Sequence, residues 1–259
     1  MKLSIITPSY NQGRFIEETI RSILNQTYCD YEYIIIDGGS TDNTLEIIKK
    51  YEGDKRLRWI SEKDKGQTNA INKGINISKG EILAWLNSDD IYDNKYVFER
   101  IVSEFRSDAN LDLVYGKCLY IDEKGNVTGE FRSKEFNLNR HLNYDPGIIP
   151  QASAFFSRRI YYKVGQLDES LNYSMDYDLW TKIAKAGKVK YVPIIFSRFR
   201  KHGKCKTVEF VNKSRLETLR IARKHGALYL SPMYLEMVLN RFIERFPRIK
   251  IIVKKLMGR

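Results

Sequence analysis

Glu81-Ile82-Leu83-Ala84-Trp85-Leu86-Asn87-Ser88-Asp89-Asp90 is the stretch on which the fold turns. Its first six residues are a short, mostly apolar run that reads as a buried strand. Two carboxylates follow directly at the strand's end. Open α/β sheets bind ligands outside the carboxyl ends of their strands, and a hard divalent cation takes carboxylate oxygens while sharing its other positions with substrate phosphates. An acidic turn or a helix start would explain the same residues, because aspartate favours both. The rest of the chain bears on that choice.

Upstream, Tyr33-Ile34-Ile35-Ile36 ends in Asp37-Gly38-Gly39-Ser40-Thr41-Asp42 and opens onto a helix-like stretch at 45–51. The chain begins the same way: Leu3-Ser4-Ile5-Ile6, then Thr7-Pro8-Ser9-Tyr10-Asn11, then an amphipathic segment through Ile16, Ile20, Ile23 and Leu24. Successive strand, loop and helix units predict an α/β fold with a mostly parallel, Rossmann-like sheet and helices on both faces. A third loop, Ser61-Glu62-Lys63-Asp64-Lys65-Gly66-Gln67, leads into a helix through Ala70, Ile71, Gly74 and Ile75, and 94–105 reads as another helix. Beyond it, strands are expected at 111–115 and 118–121 with a hairpin turn at 122–126. A mobile loop is expected over 133–150, then a strand at 152–156, helices from Arg158 and at 179–186, and a strand at 189–195. From about Val208 the chain reads as helices only.

At 259 residues with 42% hydrophobic content, one large domain with an extension is expected. No run approaches the roughly 18 apolar residues of a membrane span and no charged-then-apolar leader opens the chain, so the expectation is cytoplasmic. Cys29, Cys118 and Cys205 are too few and too scattered for a disulfide framework or a thiolate metal cluster. The net charge of +12 is uneven: residues 1–200 carry 29 basic and 28 acidic side chains, and 201–259 carry 15 and 4. With no nucleic-acid-binding motif visible, the basic balance does not support a nucleic-acid partner.

Six segments together resemble family 2 glycosyltransferases of the GT-A fold. They are Ile6-Thr7-Pro8-Ser9-Tyr10-Asn11, Asp37-Gly38-Gly39-Ser40-Thr41-Asp42, Asp64-Lys65-Gly66, Leu86-Asn87-Ser88-Asp89-Asp90, Met175-Asp176-Tyr177-Asp178-Leu179-Trp180 and Arg200-Lys201-His202-Gly203. The resemblance covers 1–207, with 1–92 as the nucleotide-sugar part, 93–207 as the acceptor part and 208–259 as a basic helical extension. It is nearest the bacterial branch that builds O-antigen and other surface polysaccharides. It implies an inverting transferase that uses a nucleotide-diphosphate sugar and Mg²⁺ or Mn²⁺.

Residue by residue, the resemblance implies that Asp37 accepts from the imide N–H of a uracil-like or thymine-like base, since a carboxylate only accepts. The loop of Thr7, Pro8, Tyr10 and Asn11 borders that base and its ribose. Asp64 and Gln67 lie towards the ribose and diphosphate, with Asn87 and Ser88 also on the donor side. The family's metal motif is Asp-any-Asp, and Asn87 replaces its first acid, so Asp89 is the expected direct ligand, joined by His202 of a terminal loop. Arg200, Lys204 and Lys206 would contact phosphate. An inverting transfer needs a base for the acceptor hydroxyl; Asp176 aligns with it and is favoured over Asp178. Gln151 and Trp180 are candidates for the acceptor pocket. Plainer readings stand beside these: a helix cap for Asp37, a surface histidine for His202, core packing for Trp180 and a structural role for Gln151.

For the extension, Tyr234, Leu235, Val238, Leu239, Phe242, Ile243 and Phe246 recur at helical spacing among Arg241, Arg245 and Arg248. That suits a hairpin packed on the domain or an anchor on an anionic leaflet, the latter useful for a polyprenyl-linked acceptor. Rival functions are an inactive, donor-binding scaffold subunit and a sugar nucleotidyltransferase, although residues 3–14 lack the latter's Gly-rich basic loop. A dehydrogenase would need a G-x-G-x-x-G after the first strand.

Overall fold

A computed structural model describes residues 1–203 and 210–245. The first four strands are β1 (Leu3–Ser9), β2 (Tyr31–Asp37), β3 (Leu57–Ser61) and β4 (Ile82–Trp85), joined through α1 (Ile16–Leu24), α2 (Thr44–Lys49) and α3 (Gln67–Ile77). They pair in parallel in the order β3-β2-β1-β4. Side chains alternate across the sheet, so Ile82 and Ala84 join the core beneath α1 and α4 (Val97–Ser107), while Leu83 and Trp85 join the core beneath α3. Gly74 lets α3 approach closely, since a Cβ there would strike Ile6 and Ile36.

The sheet continues through β8 (Ala154–Ser157), β6 (Leu111–Ile121), β9 (Lys188–Arg200) and β5 (Ile91–Tyr92), with β7 (Val127–Glu130) beside β6. Here antiparallel pairs enter, at β4/β8, β6/β8, β6/β7 and β5/β9, with β6/β9 parallel. The parallel character of the first half therefore gives way to a mixed sheet. β5 follows β4 by five residues in sequence, yet three strands lie between them in the sheet. The joining segment contains a tight turn, Asp90 N–H donating to the Asn87 carbonyl at 3.1 Å, so the sheet must curl to bring its far edge back to β4.

Several elements differ from the sequence expectation. The two strands expected at 111–115 and 118–121 are one, with register shifts on either side of Lys117. The segment expected as a mobile loop contains α5 (Leu138–Asn143), capped by Asn137. It also buries His141, Ile148 and Ile149. α6 (Arg158–Val164) follows β8, and α7 (Met175–Ala186) starts earlier than the pattern suggested. α8 (Val211–Lys224) and α9 (Pro232–Arg245) pack on α7 through Tyr177, Leu219, Ile221, Ala222 and Met233. Lys204, Cys205, Lys206, the start of the extension at Val208, and the run from Phe246 through Arg248 to the end lie outside the described residues, as do the side chains of Arg241, Phe242, Ile243 and Arg245.

Candidate active site

The carboxyl ends of β1, β2 and β4 open onto a cleft of about 740 Å³, closed on the far side by the start of α7. From the sequence candidates it gathers Pro8, Tyr10, Asp64, Gln67, Asn87, Ser88, Asp89, Gln151, Asp176 and His202. Thr7, Asn11, Asp37, Asp178, Trp180 and Arg200 do not line it.

The loops after β1 and β2 are tied to one another. Asn11, in the left-handed region at φ 51°, accepts from Thr41 N–H at 2.8 Å and donates its own N–H to Ser40 Oγ. Thr7 is buried, its hydroxyl bonded by Tyr33. Asp37 is fully buried, and its carboxylate accepts from the N–H groups of Gly39 and Ser40 and the hydroxyls of Ser40 and Ser61. Three of those bonds fall on Oδ2 and one on Oδ1, so here it knots the end of β2 to β3 while Gly38 and Gly39 form the cleft wall. Asp64 accepts from Gly66 N–H at 2.7 Å, and Gly66, at φ 108°, turns the chain into α3.

A row of amides crosses the cleft floor. Gln67 Nε2 donates to Asn87 Oδ1 at 2.8 Å, Asn87 Nδ2 donates to Gln151 Oε1 at 3.2 Å, and Gln151 Nε2 donates to the Trp85 carbonyl at 2.7 Å. Asn87 Nδ2 also points at Asp90 Oδ2 at 3.4 Å. This explains the departure from Asp-any-Asp in local terms: an aspartate at 87 would set its oxygen against two acceptors.

Asp89 Oδ2 lies 2.9 Å from His202 Nε2, and the His202 ring packs against Phe15 at 4.9 Å. Asp90 behind them is fully buried, and burial with the neighbouring Asp89 raises its carboxyl well above the usual range. One carboxylate and one imidazole on an open cleft would suit a divalent cation of the kind that keeps several positions for water and phosphate oxygens. Among the described residues no group of three or more His, Cys, Asp or Glu converges on one point, so the donor set fits a divalent ion only with substrate oxygens completing it.

Arg200 departs from the expectation of phosphate contact. It ends β9 inside the sheet and is fully buried. Nε donates to the Asp89 carbonyl at 2.9 Å, Nη1 to the carbonyls of Asp122 and Glu123, and Nη2 to Glu18, while its backbone N–H holds Asp90. Its donors are used in bracing the Asp89 loop.

On the wall opposite, Asp176 sits half-buried in the first turn of α7, with Tyr177 N–H donating to its carboxylate at 2.8 Å. Burial pushes its carboxyl up to about 6, in the range of a general base working near neutral pH. Asp178 points elsewhere: it is 1% exposed and pairs with Lys182 and His225. Trp180 is also 1% exposed and stacks on Trp85 at 5.4 Å, which makes it core and leaves no face for a sugar. The cleft adds residues that the sequence reading did not assign to it, including Asn172, Tyr173, Phe199 and Ser214. Ser9, within a quoted segment, also lines it with a buried hydroxyl that has no hydrogen-bond partner.

Residues 4–165 match glycosyl transferase family 2, and the chain belongs to that family. It is 32% identical over 191 residues to a chondroitin synthase of Escherichia coli, covering 73% of this chain and 27% of that protein. An uncharacterised glycosyltransferase of Rickettsia conorii is 32% identical over 207 residues, 77% of this chain and 34% of its own length. The chain thus spans about a third or less of those two relatives. Among solved structures, TarS 1–349 of Staphylococcus aureus in complex with UDP-GlcNAc aligns with a TM-score of 0.69 at 19% identity, over 87% of this chain and 66% of that one. The mannosyltransferase PcManGT of Pyrobaculum calidifontis, in complex with GDP-Man and Mn²⁺, aligns at 0.65 with 16% identity, over 99% and 87%. The fold is GT-A, that of these solved structures.

Proposed function

We propose that the protein moves one sugar from a nucleoside-diphosphate donor onto a glycan or polyprenyl-linked acceptor in surface polysaccharide synthesis, with inversion at the anomeric carbon. The observation that carries this reading is the meeting of Asp89, His202 and Asp176 on one cleft at the strand ends. Asp176 takes the proton of the acceptor hydroxyl as that oxygen bonds the anomeric carbon and the nucleoside diphosphate leaves. Asp89 and His202 would hold Mg²⁺ or Mn²⁺, whose chemistry when bound is neutralisation of charge on the departing diphosphate. The donor's nucleoside would lie against Pro8, Tyr10, Gly38 and Gly39. Reading Asp37 as a partner of a uracil or thymine base calls on its Oδ1, which carries one of its four bonds where Oδ2 carries three.

The test is a screen of nucleotide sugars, UDP-GlcNAc and GDP-mannose among them, for nucleoside diphosphate release with and without Mn²⁺. Metal-dependent release from at least one donor is expected. Donor binding without any release would favour the inactive scaffold instead.

We place the acceptor at the cytosolic membrane face because the turn between α8 and α9 exposes Leu228, Tyr229 and Leu230, and α9 exposes Leu235 and Leu239, in a segment where 15 basic side chains face 4 acidic ones. No helix among the described residues is long and apolar enough to cross a membrane. Contact would therefore be peripheral, with each basic residue near an anionic surface adding ~1 kcal/mol. The protein should sediment with phosphatidylglycerol vesicles at low salt and release at high salt, since exposed charges are screened beyond ~10 Å at 0.1 M. A chain ending at Arg245 should bind less. Indifference of the full chain to the vesicles at low salt would remove the membrane from this reading.

A further inference from the structure

The extension reaches into the cleft wall. Glu217 of α8 receives three consecutive backbone N–H groups: Asn172 donates to Oε1 at 3.0 Å, and Tyr173 and Ser174 to Oε2 at 2.7 Å each. Successive amides turned to one side make an anion-binding concavity, and here a side chain from a distant helix fills it. Ser174 immediately precedes α7, but its hydroxyl makes no capping bond to that helix. It bonds Thr218 Oγ1 at 2.8 Å and the Ser214 carbonyl at 3.3 Å instead. The N–H and the side chain of the residue that launches α7 are thus both committed to α8. Asp176 lies two residues on, and Asn172, Tyr173, Asp176 and Ser214 all line the cleft.

We propose that Glu217 is a positioning residue for glycosyl transfer: by clamping 172–174 from α8, it sets where the first turn of α7 carries Asp176 and shapes the wall against which the acceptor lies. This rests on the reading of Asp176 as the base. The catalytic unit then runs through α8, past residue 165 where the family match ends. Glu217 also acts as a like charge on Asp176, adding to burial in raising its carboxyl. The other charged groups nearby are differently engaged or across the cleft. Asp178 on the same helix is paired with Lys182 and with His225 after α8, and Lys63, Asp64, Asp89 and His202 line the cleft from the ends of β3, β4 and β9.

The experiment uses the full-length protein with Mn²⁺ and UDP-GlcNAc or GDP-mannose, water serving as acceptor, and measures nucleoside diphosphate release, donor affinity by calorimetry and Tm. Glu217→Gln and Glu217→Ala are expected to lower kcat about tenfold to a hundredfold, the scale of a small misplacement of a reacting group, with donor KM and Kd within about twofold of wild type. In Glu217→Gln the acid limb of the kcat profile should move to lower pH, because the like charge is gone. If Glu217→Ala fails to fold, Glu217→Gln carries the test, since it keeps the volume and one acceptor oxygen. Variants that lose Tm but keep wild-type kcat per folded molecule, with an unmoved acid limb, would overturn the proposal and leave α8 a stabilising element. Equal loss of donor affinity would overturn it too. Release abolished in Asp176→Asn but untouched in Glu217→Gln is failure of this inference alone; no release by the wild type from any donor overturns the enzymatic reading and this inference with it.

Discussion

Asp89→Asn is expected to lower transfer by ~10²–10³-fold at saturating Mn²⁺, the range seen when one group stabilising developing charge is removed. Asp89 is the carboxylate beside His202, with its Oδ2 2.9 Å from the ring nitrogen. Its backbone carbonyl, which anchors Arg200, is untouched by the substitution. Tm should therefore stay close to wild type, while the Mn²⁺ concentration needed for half-maximal rate rises. Retention of more than about a tenth of the wild-type rate would remove Asp89 from the metal site, given how much a charge-stabilising ligand contributes.

Asp176→Asn is the second large effect, with transfer falling ~10²-fold or more, as for loss of a general base, and donor affinity nearly unchanged by calorimetry. Because the Asp176 carboxyl is pushed up to about 6, the wild-type rate should fall as pH drops through 6 and the base becomes protonated. Stability moves the other way. A carboxyl raised above its unfolded value of 3.8 contributes fully at pH below 3.8, and that contribution is lost as pH rises through about 6. The asparagine variant, which never charges, should therefore show a higher Tm than wild type at pH 8, with the gap closing towards pH 4. A larger transfer defect in Asp178→Asn would reverse the two roles.

The first half of the fold was legible because each of β1, β2 and β4 announces itself as an apolar run broken by an acid or a turn residue, and the loops at their ends are where the sheet places its cleft. The second half was less so. Whether β6 runs as one strand, and that β9 lies parallel to it, depends on pairing partners far apart in sequence. Arg200 looked like a phosphate ligand because it stands two residues from His202, but β9 extends to it and pairs it with Ile121. Asp176 and Asp178 looked alike because the helix was expected to begin after them. Starting at Met175, it turns about 100° per residue, which leaves one acid on the cleft and sends the other towards His225. Glu217 gave no local signal at all: its partners are backbone amides, and any sequence at 172–174 except proline supplies those.

The curl of the sheet gives the 86–90 segment a second office. It carries the Asp89 loop, and it is also the clasp that draws β5, and β9 paired to it, back towards β4. Thr19 of α1 fastens it further through a 2.7 Å bond to the Asp90 carbonyl. An inserted residue would shift Asp90 out of register with Thr19 and with the backbone of Arg200, and would part the two edges that the clasp holds. The five residues between β4 and β5 are therefore as binding in their number as Asp89 is in its kind.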